Sequence, residues 1–187
     1  GFASVRQFND TIREVYAATP SQLRGPAHRR RQGRIELHLG VRTPFAGAQL
    51  LAFLHARAVP GIESVEGDAY LRTLALPHGP ATVRVRLTDQ PRGRGAVPVQ
   101  FRLTDHRDLA AGVERVRRLL DADADPVAIA SHLEPDPIIG PLVRRWPGLR
   151  VPGHVDGAEL AVRALLGQQI TVAAARTVAS RLAEWFG

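Results

Sequence analysis

Ile35-Glu36-Leu37-His38-Leu39-Gly40-Val41-Arg42 alternates inward-type and outward-type side chains along its whole length. Successive side chains of a strand point to opposite faces, so this period of two puts Ile35, Leu37, Leu39 and Val41 on one buried face. Working outward, residues 46–58 switch to helical spacing through Leu50, Leu51, Leu54 and Ala58, and Pro60-Gly61 stops the run. Strand signals return at residues 62–66, 69–76, 81–87 and 97–103, where Val83, Val85 and Leu87 alternate with Arg84 and Arg86. Residues 88–95 form a Pro/Gly/Arg loop. Asp105 is placed to cap a helix reaching about Leu120, with Leu109, Val113, Val116 and Leu120 inward and Glu114–Arg118 as an outward i,i+4 pair. This order predicts an α+β fold: a small antiparallel sheet with helices on one face.

Beyond Asp121 the strand signal stops, and residues 126–133, 138–145 and 156–186 read as helices. Asp156 is a suitable N-cap, with Glu159 three residues on. Gly167 costs a helix about 1 kcal/mol relative to alanine, so a break near Gly167-Gln168-Gln169 is expected, splitting the stretch into 157–166 and about 171–186. On the other side, Val5, Phe8, Ile12, Val15 and Tyr16 share one face of a helix that a Ser4/Gln7 capping box starts. Thr19-Pro20-Ser21 ends it and opens a short helix at 22–24. So short a helix needs partners, which are expected to precede Gly1. Residues 25–33, with Arg29-Arg30-Arg31, lack periodicity and read as an exposed linker. Two readings of that basic run stay open, a solvated linker or a contact to a phosphate backbone.

All 25 basic residues among the 187 are arginine, against 18 acids, for a net charge of +7; cysteine and methionine are absent. The composition excludes a disulfide framework, a thiolate metal site and a cysteine nucleophile. No apolar run approaches about 18 residues, so no membrane span is expected. The pI of about 11.3 fits a polyanionic partner such as nucleic acid, or a GC-rich genome, which enriches arginine, alanine, glycine and proline. The charge is uneven: residues 1–34 hold seven arginines against Asp10 and Glu14, while 18 arginines face 16 acids over 35–187. The absence of an initiator methionine suggests a fragment, a processed product or an excised segment.

Asp121-Ala122-Asp123-Ala124-Asp125 has the first spacings of a calcium loop, but Pro126 stands where the turn needs glycine and His132 where a bidentate glutamate belongs. It reads instead as a helix end followed by an N-cap. Seven histidines show no i,i+4 pairing, and there is no dinucleotide fingerprint, phosphate loop or nucleophile elbow. No metal or cofactor is expected.

Two blocks carry a family resemblance. Gly1-Phe2-x-Ser4-x-Arg6-Gln7-Phe8-Asn9-x-x-Ile12-Arg13, with Thr19-Pro20-Ser21-x-Leu23-Arg24, resembles the end of an AraC-type DNA-binding domain of the Ada subgroup. The resemblance implies that residues 4–16 are the recognition helix of a helix-turn-helix. Arg6, Gln7, Asn9 and Arg13 would then face DNA, arginine suiting guanine or phosphate and glutamine suiting adenine. The alternative is that they solvate the outer helix face.

The second block begins Leu51-Ala52-Phe53-Leu54-x-Ala56-Arg57-Ala58-Val59-x-Gly61-Ile62-Glu63. It continues through Asp136-Pro137-Ile138, Pro147-Gly148-Leu149-Arg150-x-Pro152-Gly153 and Val162-Arg163-Ala164-Leu165-Leu166-Gly167-Gln168-Gln169. It resembles AlkA-type 3-methyladenine DNA glycosylases over roughly residues 35–187. The resemblance implies four parts: 1–24 the end of a helix-turn-helix, 25–34 a basic linker, 35–120 an AlkA-like amino-terminal α+β domain, and 121–187 the first helices of an all-helical helix-hairpin-helix glycosylase domain.

A glycosylase must extrude a damaged base, and a side chain at a turn then fills the gap. The resemblance places that wedge at Gln169, with a plain turn residue as the alternative. It places Phe53 in the base pocket, where an electron-poor alkylated base stacks on the aromatic face; ordinary core between Leu50 and Leu54 is the alternative. The family's helix-hairpin-helix and catalytic aspartate are expected beyond Gly187, and a methyl-accepting cysteine domain before Gly1. No catalytic residue is therefore assigned, and these residues alone are expected to be inactive. The parent is expected to be a cytoplasmic, nucleoid-associated bacterial enzyme. Its partners would be double-stranded DNA containing alkylated bases and, through the regulator part, RNA polymerase. The rival reading is a transcription regulator with a non-catalytic glycosylase-like sensor.

Overall fold

The alternation at residues 35–42 produces an edge strand, β1 (Arg34–Val41), which pairs antiparallel with β5 (Gly95–Leu103) in the register Leu37↔Val99 and Leu39↔Val97. The computed structural model describes residues 4–21, 34–90, 92–93 and 95–186. The expected basic linker and short helix at 22–24 fall largely outside the described residues. With β2 (Glu63–Glu66), β3 (Ala69–Leu76) and β4 (Gly79–Arg86), the sheet has five antiparallel strands in the order β1-β5-β4-β3-β2. One face carries Leu37, Leu39, Val97, Val99, Phe101, Val83, Val85, Tyr70 and Leu74, all buried. Its opposite face presents Glu36, Arg102, Thr82, Thr73 and Ser64 to solvent.

Two helices cover the apolar face, α2 (Gly47–Arg57) and α3 (Leu109–Leu119). They deliver Leu50, Leu54, Val113, Val116 and Leu119 to the same cluster as the strands. Burying a side chain of this size is worth about 1.5–3 kcal/mol, so this shared core is the main source of stability. The first turn of α2 has no side chain of its own to cap it; Asp89, from the loop after β4, accepts from the Ala48 amide at 2.9 Å. Asp105 does cap, but the turn it opens is a 3₁₀ segment, His106–Asp108, before α3 begins.

Helix α1 (Val5–Tyr16) starts where its cap predicts, the Ser4 hydroxyl accepting from the Gln7 amide at 3.1 Å. Its last turn lies against β1, where a Cβ on Gly40 would run into the Glu14 carbonyl. Arg117 of α3 fastens this contact by donating to the Gly40 carbonyl at 2.8 Å and the Val15 carbonyl at 3.2 Å. An otherwise open sheet edge is thereby covered.

After α3 come α4 (Pro126–Leu133), α5 (Gly140–Arg145), α6 (Gly157–Gly167) and α7 (Val172–Phe186). The Asp121–Asp125 run takes the helix-end reading: Asp121 adopts a φ of 51° just past α3, and Asp125 accepts from the Val127 and Ala128 amides at the start of α4. The glycine-rich loop between α5 and α6 is a strap. Arg150, 5% exposed, donates to the carbonyls of Asp121, Ala124, Arg42 and Pro44. Gly148 has a φ of 78° with no room for a Cβ beside Pro44.

Candidate functional site

Phe53 is 41% exposed, whereas its helix neighbours Leu50 and Leu54 are 2% and 7% exposed. One residue is about 100° around a helix, so the turn that buries Leu54 swings Phe53 out of the core. The Arg57 guanidinium lies 3.8 Å from the centre of its ring. Phe53 and Arg57 line a cleft of about 210 Å³ that α6 and the preceding loop close with Pro152, His154, Leu160 and Arg163.

The floor of that cleft is ionic. Glu63 and Arg72 both point to the apolar side of the sheet, with side chains 5% and 4% exposed. One Glu63 oxygen accepts from the Tyr70 hydroxyl and from Arg72 at 3.3 Å. The other accepts from the Val59 amide at 2.8 Å and from Arg163 of α6 at 2.5 Å. Glu159 closes the ring, 2.6 Å from Arg72 and 2.8 Å from Arg163. Burial pushes the Glu63 carboxyl up, but the Tyr70 and Arg163 hydrogen bonds and the Arg163 charge outweigh it and hold the group below its usual range. Burial raises the Tyr70 phenol, so it stays a neutral donor.

Gln169 lies in the exposed bend between α6 and α7, where the glycine break was expected. Thr171 restarts the chain, its hydroxyl accepting from the Ala174 amide at 3.2 Å. Beside this bend is a second cleft of about 190 Å³, lined by Leu166, Ile170, Val172 and Arg176. Arg57 and Arg163 line both clefts, so Phe53 and the bend flank the same two arginines. Arg6, Gln7, Asn9 and Arg13 sit apart on α1 and line neither. Arg6 is largely exposed, and Arg6 and Arg13 each lie 3.9 Å from Asp10. Gln7 is exposed and Asn9 half-buried.

Residues 36–156 match the family described as the AlkA N-terminal domain. The chain belongs to this family. It is 46% identical over 193 residues to the "Probable bifunctional transcriptional activator/DNA repair enzyme AlkA" of Mycobacterium tuberculosis, a match covering 100% of this chain and 38% of that protein. It is 34% identical over 152 residues to "DNA-3-methyladenine glycosylase 2" of Escherichia coli, covering 77% of this chain and 48% of the other. The AlkA-type chain thus spans less than half the length of these relatives. Among solved structures, the 3-methyladenine DNA-glycosylase from Archaeoglobus fulgidus superposes with a TM-score of 0.67 at 18% identity, over 80% of this chain and 50% of that one. MBOgg1 in complex with a low-affinity DNA ligand gives 0.54 at 16%, over 85% and 48%. At those identities the likeness is one of fold.

Reading the AlkA-type sequence by periodicity passed over Glu63, Arg72 and Arg150. Arg72 had a signal: it takes the place of an apolar residue in the inward series Tyr70, Arg72, Leu74, Leu76. A charge on the buried face of a strand requires a partner. Arg150 had none, because its acceptors are all backbone carbonyls.

Proposed function

We propose that this chain is part of a DNA base-excision repair glycosylase fused to an AraC/Ada-type DNA-binding regulator. The whole protein binds double-stranded DNA containing alkylated bases, extrudes the altered base and hydrolyses its N-glycosidic bond. The observation that carries this reading is the exposed Phe53 with a guanidinium on its face, in a cleft between the sheet and α6. An aromatic ring turned out of the core and already stacked by a cation offers a cationic alkylated base the surface it prefers. Arg57 leaves the ring as the base enters and turns to the phosphate backbone.

Gln169 serves as the wedge. At an exposed bend between two helices it enters the duplex end-on and hydrogen-bonds the partner base left behind. Arg6, Gln7, Asn9 and Arg13 of α1 contact DNA in the regulator part, and RNA polymerase is a partner of that part. The protein works in the cytoplasm, on the nucleoid. The hydrolytic step is assigned to no residue of this chain, and residues 1–187 alone are expected to release no base.

The test uses the full-length protein and a duplex carrying one methylated adenine. Base stacking on an aromatic is worth about 1–3 kcal/mol, so Phe53→Ala should slow excision by about tenfold or more while duplex binding persists. Gln169→Ala should weaken extrusion. Unchanged excision in both variants removes these roles. A full-length protein that binds DNA but releases no base would instead establish the non-catalytic sensor.

A further inference from the structure

We propose that Glu63 is a positioning residue that sets the bend carrying Gln169 at its working distance from Phe53; this rests on the glycosylase reading above. No residue of α6 or α7 is buried among those described, so these helices are not held to the sheet by a dry apolar interface. Polar contacts tie them down instead. Arg163 bonds Glu63, Glu159 bonds Arg72, Arg176 donates to the Ala58 carbonyl at 2.8 Å, and the Ser180 hydroxyl donates to the Pro60 carbonyl at 3.2 Å. Three of the four reach residues 58–63, the segment leading directly out of the helix that bears Phe53.

Within that segment Glu63 has the most partners. Its two oxygens take four donors from three places: Val59 just past α2, Tyr70 and Arg72 on β3, and Arg163 on α6. Charge-assisted hydrogen bonds are short and directional, so they fix orientation where apolar contact would permit sliding. Arg163 is six residues before Gln169 on the same helix and bend. The angle at which α6 leaves the sheet, and so the position of the bend, follows from this one carboxylate. Glu63 and Glu159 balance Arg72 and Arg163, so the cluster is neutral and loss of any one of the four leaves a net charge.

The experiment compares full-length wild type, Glu63→Gln, Glu63→Asp and Arg163→Met. Single-turnover excision, and 2-aminopurine fluorescence beside the lesion to report extrusion, are measured on two duplexes. One has the methylated adenine paired; the other has it in a bulge, where unstacking is already done. The variants should excise the paired lesion about tenfold or more slowly, with a reduced fluorescence rise. The Glu63 variants should approach wild type on the bulged lesion and bind undamaged duplex within about twofold of wild type. Arg163→Met, at a partly exposed site, should show the same greater loss on the paired than on the bulged lesion if Glu63→Gln folds poorly, with duplex binding weakened on both by the loss of a cleft-lining cation. Equal losses on both duplexes would mark a purely structural role and overturn the proposal, as would wild-type rates on the paired lesion. A wild type that excises neither lesion would overturn the glycosylase reading itself.

Discussion

His78 and Asp108 show how much one pair of side chains contributes to a hairpin. Asp108 is 2% exposed and accepts twice from His78, from its amide at 2.9 Å and its ring Nδ1 at 2.6 Å. The bond ties the β3–β4 turn to the start of α3. It raises the imidazole above its ordinary 6.5, against a desolvation effect, with the Asp108 and Asp105 charges helping. Asp105 itself is held at about 2 by Arg107 and stays charged across the accessible range. A raised imidazole stabilises the fold fully below the unfolded value of 6.5 and loses that contribution as pH rises through the higher folded value. The thermal midpoint should therefore fall as pH rises above 6.5 and through the raised folded value, and His78→Gln should flatten that fall. An identical pH profile in the variant would remove His78 from the account. Glu63 has the opposite sign: its lowered carboxyl contributes above 4.5 and is lost on acidification below it.

At the scale of elements, local patterns predicted most segments and missed mainly their ends. The helix expected over 46–58 is Gly47–Arg57, and the break at Gly167-Gln168-Gln169 is present. Strands β4 and β5 begin earlier than expected, at Gly79 and Gly95, because a glycine has no side chain to contribute to a hydrophobic period. The helix expected from Ile138 starts only at Gly140, because Asp136 accepts from the Ile138 and Ile139 amides and holds them in a turn. The seat of α1 on β1 depends on Gly40 having no Cβ. Gly40→Val should release α1 while leaving the sheet core in place. Hydrogen exchange should then accelerate in residues 5–16 far more than in residues 97–101. Uniform acceleration would mean that α1 is integral to the core rather than docked on its edge.

Across the whole molecule the two halves differ in how they bury apolar surface. The sheet, α2 and α3 share a closed core, whereas α4 to α7 leave Ile138 79%, Leu165 66%, Trp185 73% and Phe186 80% exposed. Large apolar side chains left exposed in this number favour association. This 187-residue chain should bind a hydrophobic dye and associate with rising concentration, more strongly in sulfate, which favours apolar burial. Gel filtration that stays monomeric at all concentrations, with no dye bound, would contradict this.

What the sequence alone determined is what depends on near neighbours. Period two at 35–42 and helical spacing at 46–58 make an α+β sheet layer, Ser4, Asp125 and Asp156 cap helices, and ordered blocks carry the family. Tertiary structure alone decided which side chains meet. It turned Phe53 out of the core, brought Arg163 to Glu63 and Glu159 to Arg72, set Arg117 between α1 and β1, and surrounded Arg150 with carbonyls. These partners lie 26 to 108 residues apart in the chain. Propensity and spacing act over one or two turns of backbone. A buried charge is satisfied by whatever the fold brings within 3 Å, and no local pattern encodes that.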